Sequence, residues 1–355
     1  MVFNPFGLIF PKKMLGVDIG TSSVKIVELS KWGGGRTLEN YGEIKTTSVI
    51  REPYKESKKG NYLLSRSFVL KAIKAIIDEG RIRTKAAMFS IPDFSTFFVS
   101  FDLPPMGKGE IPEAIRFNAP QYIPLPVSET TLDWRLISGT PGDNRSGLKV
   151  LVAAVANQVV QEYQGIAQAA GLELYAIEAE AFSVVRSIIK DNKKVICLID
   201  IGVQSTTVNI IDKGILKTSF SFDFAGTQLT HAVASAFNKG YTEAEEIKSK
   251  EGLIAQDKRI SEILYLLIDP LLAEIKKISN DFFMKEEREI DEVYLTGGTA
   301  NLPGLREYFG EVLKKKVEIP NCFSDFLYPP ILNETIKEMA PRYSAAVGVA
   351  LGGLE

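Results

Sequence analysis

The chain has 355 residues, 45% of them apolar and 24% charged, with a formal net charge of -2. That length is enough for more than one core, because single cores stop growing near ~250–300 residues, and the charge balance offers no basic stripe for nucleic acid. Two cysteines and one histidine are too few for a zinc site or a disulfide framework, and no apolar run approaches the ~20 residues of a membrane-spanning helix.

Residues 1–10 (MVFNPFGLIF) are apolar and aromatic, with Lys12 and Lys13 after the run, the reverse of a secretory signal. They read as a tail packed on its own domain, or as a docking segment for a neighbouring subunit or a membrane surface. Residues 15–29 (LGVDIGTSSVKIVEL) read as a strand, an Asp-Ile-Gly turn and a return strand. A third strand is expected at 42–48, and a helix at 63–79 through Phe68, Ile73, Ile76 and Ile77. Residues 91–126 are proline-rich and hold one short helix, which Pro120 should end near Ala119. After the polar loop 139–147 come a strand at 149–156, a helix at 158–171 and a strand at 173–177. Residues 198–211 (LIDIGVQSTTVNII) nearly repeat the first hairpin, with Asp18 and Asp200 182 positions apart. Further on, residues 240–289 are mostly helical, 293–304 (VYLTGGTANLPG) read as a strand, a Gly-Gly turn and a helix from Pro303, and 343–352 form a small-residue helix. Cys197 is most simply a core residue, and Lys314–Lys316 mark the charged end of a helix.

The two hairpins suit a polyphosphate. A strand-Gly-Ser/Thr turn aims successive N–H groups at anionic oxygens, so Gly20, Thr21, Ser22 and Ser23 would hold one side, and Gly202, Val203, Gln204, Ser205 and Thr206 the other. Asp18 and Asp200, just before each turn, would repel bare phosphate but suit Mg²⁺ held by one or two carboxylates. Lys25 returns toward the phosphates as a point charge. A lone Asp-x-Gly hairpin is more often an ordinary turn. The third segment changes that balance, because Gly297, Gly298 and Thr299 would let an adenine and ribose lie against backbone.

Three such motifs in this order resemble the actin-like ATPase superfamily, which implies a two-lobed α/β, ribonuclease-H-like fold with ATP and Mg²⁺ between the lobes. The resemblance makes Ala244-Glu245-Glu246-Ile247-Lys248 the helix whose Glu245 and Lys248 contact the nucleoside, although the bland alternative is a solvated helix face. It places Gly226, in Ala225-Gly226-Thr227, beside the phosphates. By analogy with the family, Glu178 and Glu180 are the candidates for orienting the attacking water, so a slow ATPase or a pure nucleotide switch is expected.

Ile91-Pro92-Asp93, the run Gln121-Tyr122-Ile123-Pro124-Leu125-Pro126 and Leu132-Asp133 resemble the PilM family of type IV pilus assembly proteins, related to FtsA. That resemblance implies an inserted subdomain that captures the amino-terminal cytoplasmic peptide of PilN. It also implies a cytoplasmic location beneath the inner membrane, reached through PilN, with further pilus components and other copies of the chain as additional partners. Ala114, Phe117, Tyr122, Ile123 and Leu125 are the candidate peptide surface; an extended peptide with alternate apolar side chains would suit it. Phe117 and Ile123 read at least as well as core residues of the insert. On this reading the first lobe comprises 14–85, 157–193 and helix 341–355, and the insert 86–156. The second lobe comprises 194–239 and 290–340, with a helical subdomain at 240–289. A division filament of the FtsA type and a sugar kinase are the alternatives. The first would carry a terminal amphipathic helix, and the second a polar sugar pocket.

Overall fold

The computed structural model describes residues 12–46, 54–56, 62–143, 145–190 and 193–355; segment 1–10 and the end of the strand expected at 42–48 lie outside them. Strand β1 (Lys12–Ile19) pairs antiparallel with β2 (Ser23–Trp32), which pairs antiparallel with β3 (Gly35–Lys45). A short hairpin, β4 (Tyr54–Glu56) and β5 (Tyr62–Leu64), leads into α1 (Arg66–Glu79). The helix begins at Arg66 rather than at 63 because Ser65 caps it, its hydroxyl accepting from the Phe68 N–H at 3.3 Å.

The next strand departs from the expected partition. β6 (Ala86–Ile91), assigned by sequence to the insert, pairs parallel with β1 inside the first-lobe sheet. Its residues are almost all buried, as a central strand covered on both faces must be. The insert therefore starts after Pro92. It consists of β7 (Thr96–Leu103), α2 (Ile111–Asn118), β8 (Thr130–Ser138) and β9 (Leu148–Ala156), with β9 central in an antiparallel sheet. α2 stops at Asn118 and passes into a single 3-10 turn, Ala119–Gln121, where Pro120 interrupts the helix. α3 (Asn157–Ala169), β10 (Glu173–Ala179) and α4 (Glu180–Ile188) complete the first lobe, whose sheet order is β10-β6-β1-β2-β3.

The second lobe repeats that topology. β11 (Val195–Ile201), β12 (Thr206–Asp212) and β13 (Ile215–Phe222) form the meander, followed by α5 (Gly226–Phe237), α6 (Tyr241–Glu251) and α7 (Lys258–Glu286). β14 (Glu292–Thr296), α8 (Leu305–Leu313) and β15 (Lys316–Glu318) give the order β13-β12-β11-β14-β15. In each lobe two antiparallel pairings are followed by two parallel ones. Asp18 and Asp200 thus stand at equivalent strand ends: the register sets Asp18 opposite Lys25 and Ser90, and Asp200 opposite Thr207 and Thr296.

The last helix, α9 (Asn333–Leu354), begins well before 343 and runs through Pro341. From Tyr343 to Leu351 every residue is buried. Small side chains make this possible: a Cβ on Gly16 of β1 would lie 1.9 Å from the Ala346 carbonyl, and one on Gly348 would lie 1.8 Å from the Ser183 carbonyl of α4. The second lobe grips the same helix, the Pro341 carbonyl accepting from the Gly297 N–H at 2.9 Å and from the Thr296 hydroxyl at 2.8 Å. Substitution Gly348→Val forces α4 and α9 apart and is expected to cost at least about 3 kcal/mol. Chemical denaturation measures it, and an unchanged unfolding midpoint would show that the two helices are not in contact.

Candidate functional site

The two hairpin turns are built alike. The Gly20 N–H donates to the Ser23 carbonyl at 3.0 Å, and the Gly202 N–H to the Ser205 carbonyl at 2.9 Å. Neighbouring backbone braces each one: Thr46 N–H to Ser22 carbonyl, 2.9 Å, on the first; Gly226 N–H to Gly202 carbonyl, 3.0 Å, and Thr299 N–H to Ile201 carbonyl, 3.1 Å, on the second. They face one another across a cleft of about 980 Å³.

Asp18, Gly20, Thr21, Ser22, Ser23 and Lys25 line one wall; Asp200, Gly202, Ser205, Gly226, Glu245, Lys248, Gly297, Gly298 and Thr299 line the other. Two residues expected there are not part of the lining. Thr206 is buried and its hydroxyl donates to the Phe224 carbonyl at 2.7 Å, and Gln204 likewise lies outside the wall. Strand alternation explains the first: Thr207, one residue on, is the one that faces the cleft. Thr207 is the register counterpart of Lys25, so comparison of the two repeats position by position would have found it.

Charge concentrates at the cleft floor. Lys25 Nζ meets Asp18 Oδ2 at 3.0 Å, and the Ser90 hydroxyl donates to Asp18 Oδ1 at 2.9 Å. Burial works against the Lys25 ammonium, but Asp18 and Glu43 outweigh it and raise its pKa. Glu180, at the first position of α4, lines the same floor. Burial raises its pKa well above the carboxylate range, and Asp18, Asp200 and Asp93 reinforce the shift. Burial together with Asp93 and Asp18 moves Asp200 up to about 7. Asp93 belongs to the same group: it is 4% exposed, accepts from the Ala181 N–H at 2.9 Å and from the Thr207 side chain, and burial raises it to about 7. Sequence marked Asp93 only as part of a phrase, since nothing local shows that it returns to the base of α4.

Glu178 is placed elsewhere. It is absent from the cleft lining and holds Arg186 through both guanidinium nitrogens at 2.5 and 2.6 Å, with the Ser183 hydroxyl at 3.0 Å. Arg186 also donates to the Gly348 carbonyl at 3.0 Å, so the pair ties β10 and α4 to α9. A carboxylate saturated by a bidentate arginine cannot orient water. Of the two acids singled out by sequence, Glu180 alone faces the cleft.

On the opposite wall Lys248 is 5% exposed, donating to Glu245 Oε2 at 2.7 Å, to the Thr230 hydroxyl at 2.9 Å and to the Gly226 carbonyl at 3.2 Å. Lys248 is thus buried, while Glu245, its i,i+3 partner, stays half-exposed on a helix whose other face is open to solvent. Burial lowers the Lys248 pKa, and Glu245 opposes the shift. Glu43 and Arg342, 299 positions apart, meet at 3.3 Å on the cleft wall, a contact that no local pattern signals.

The donor set fits a hydrated divalent cation. Asp18 and Asp200 face the cleft, and among the described residues no three His, Cys, Asp or Glu side chains gather as a metal ligand set. An ion that keeps most of its waters and takes one or two carboxylates is the kind such a floor accommodates.

On the insert, α2 buries Ile111 and Ile115 and leaves Phe117 78% exposed; Tyr122 is 50% exposed, its ring stacked on Phe101 at 5.1 Å. Ile123 is buried in the insert core, as one sequence reading had it, while Phe117 is not. Ala114 and Leu125 are half-buried against the same core.

The clustered carboxylates make a pH prediction. With folded pKa values of about 7, Asp200 and Asp93 keep protons that the unfolded chain releases near ~4. Their contribution to stability is complete below ~4 and is lost as pH rises through about 7. The melting temperature of the nucleotide-free protein should fall between pH 5 and pH 8, and Asp200→Asn should flatten that fall. An identical slope in the variant contradicts the charge cluster.

The family model described as type IV pilus assembly protein PilM matches residues 16–354. Cell division protein FtsA of Pseudomonas aeruginosa is 24% identical over 391 residues, covering 97% of this chain and 90% of that protein. FtsA of Staphylococcus epidermidis is 21% identical over 355 residues, covering 86% and 73%. Among solved structures, the PilM-PilN type IV pilus biogenesis complex superposes with a TM-score of 0.83 at 24% identity, over 96% of this chain and 98% of that one. MreB5 of Spiroplasma citri bound to ADP gives 0.52 at 14% identity, over 92% and 98%. The fold is the two-lobed actin-like one, and with the family model matched along nearly its whole length the chain belongs to the type IV pilus assembly protein PilM family.

Proposed function

We propose that the protein is an ATP-binding adaptor of the type IV pilus inner-membrane assembly complex. It would hold Mg·ATP between its lobes and the amino-terminal cytoplasmic peptide of PilN on its insert. The observation that carries the nucleotide reading is the pair of equivalent Gly-Ser/Thr hairpins facing one another across one cleft. With the Gly20 and Gly202 N–H groups closing the turns, the amides and hydroxyls that follow each glycine would present partial positive charge to phosphate oxygens. The Gly298 position is open: a Cβ there meets nothing within 4 Å, which leaves room for a flat ring against the backbone. Glu245 and Lys248, which line the same cleft and hold one another at 2.7 Å, would be the polar contacts for a ribose.

Magnesium, when bound, supplies the countercharge that the floor lacks, and Asp18 and Asp200 are the residues that would hold it. Lys25 shares its charge between Asp18 and the incoming phosphate. Glu180 is the acid that would accept a proton from, or orient, a water molecule at the terminal phosphate. Its environment favours the protonated form, which makes it a poor base and fits a slow ATPase or a nucleotide switch better than a fast enzyme.

The peptide reading rests on Phe117 and Tyr122, two aromatic side chains left exposed on a subdomain whose other large apolar residues are buried or half-buried. Large aromatics presented beside half-buried aliphatics are what anchor an extended apolar peptide. Through such a partner the protein would sit in the cytoplasm against the inner membrane.

Two measurements check these roles. Gly298→Val fills the open wall without touching the fold, so ATP affinity by calorimetry should drop at least tenfold while the nucleotide-free melting temperature holds; undiminished affinity sinks the nucleotide assignment. Loss of a central aromatic anchor costs about 2 kcal/mol, or about thirtyfold. Phe117→Ala and Tyr122→Ala should each weaken a PilN amino-terminal peptide by that factor in a fluorescence titration, and unchanged affinity in both moves the partner to another face.

A further inference from the structure

The cleft occupies the carboxyl ends of β1, β6 and β11, and the opposite pole of the first lobe, at the amino ends of β1 and β6, has a chemistry of its own. Lys12 pairs in register with Lys31, and Lys31 with Arg36, so three cations stand in one row across β1, β2 and β3. Like charges directly opposite one another destabilise a sheet. Arg81 and Arg83 approach the same pole, lining with Lys13, Glu28, Asn40 and Thr84 a pocket of about 350 Å³. Lys13 is matched by Glu28 and Glu39, but none of Lys12, Lys31, Arg36, Arg81 and Arg83 has an ion-pair partner among the described residues.

Apolar side chains sit among these charges. Trp32, at the tip of the β2–β3 hairpin, is 69% exposed. Leu327, 67% exposed, is held to the edge of β3 by its N–H on the Arg36 carbonyl at 2.8 Å and by its carbonyl accepting from the Leu38 N–H at 3.0 Å.

The geometry points to this pole as a surface that lies directly on an anionic phospholipid bilayer. An indole with neighbouring aliphatic side chains enters the headgroup layer, and surrounding Lys and Arg side chains reach anionic headgroups while their stems stay apolar. An acidic protein partner would answer the charges but leave the Trp32 indole without a hydrophobic counterpart. This contact is additional to attachment through PilN, and neither the cleft nor Phe117 and Tyr122 takes part in it.

The test uses the full chain with Trp134→Phe, which leaves Trp32 as the sole indole of the two in the sequence. With vesicles of phosphatidylcholine and phosphatidylglycerol, Trp32 emission should shift to the blue and the protein should float with the lipid; phosphatidylcholine alone should do neither. Lys31→Gln and Arg36→Gln should each lower partitioning about fivefold, and raised salt should weaken it further. ATP and PilN-peptide binding, measured in the same variants, should remain at wild-type levels, so that failure here is separable from failure of the adaptor reading. Absence of both blue shift and flotation, or equal binding to neutral vesicles, overturns the proposal. So does a poly-glutamate peptide that shifts Trp32 when lipid does not, which would assign the surface to an acidic protein.

Discussion

The structure is organised around one electrostatic constraint: Asp18, Asp200, Glu180 and Asp93 converge at the base of a cleft where Lys25 is the cation that acts on Glu180 and Asp200. Burial pushes three of these carboxyls upward, and neighbouring carboxylates add to the rise at Glu180 and Asp200, so the floor tends to keep protons unless another cation arrives. The hairpins above it supply the reverse, a set of turn amides and hydroxyl donors suited to anions. A ligand that carries its own metal and its own phosphates answers both halves of that mismatch, which is why the repeated topology makes chemical sense as a pair.

The same constraint reaches the rest of the fold through few contacts. α9 crosses from the first lobe to the Gly297 turn of the second, and its small residues allow β1 and α4 to approach at backbone distance. α4 begins with Glu180, and Asp93, at the neck of the insert, accepts from the amide that follows it while also meeting Thr207 of the second lobe. The insert bonds to the second lobe, Lys149 to Glu286 of α7 at 2.6 Å and Lys217 of β13 to the Ile137 carbonyl at 3.3 Å, and packs on the first through Phe98 against Phe182 of α4 at 5.8 Å. A change in the spacing of the lobes therefore has a physical path to the surface that bears Phe117 and Tyr122.

Much of this was legible in the chain itself because the two hairpins repeat and because turn chemistry is local: Asp18, Gly20, Asp200, Gly202, Gly297 and Gly298 all reach the cleft from motifs of a few residues. Pro120 gave the end of α2 for the same reason. What stayed hidden depends on contacts distant in sequence. The period-2 alternation that turns Thr206 inward and Thr207 outward, the arginine that occupies Glu178, and the meeting of Glu43 with Arg342 are set by packing between elements. The misplaced start of the insert has a simpler cause. A short apolar run such as residues 86–91 belongs equally well to either sheet until its neighbours are known.

Hydrogen exchange on the full chain, with and without Mg·ATP, addresses the central claim most directly. If the two hairpins form one cradle, the amides of Gly20 to Ser23, of Gly202 to Ser205 and of Gly297 to Thr299 gain protection together, and only when metal and nucleotide are both present. Protection confined to one lobe, or none at millimolar nucleotide, contradicts the account.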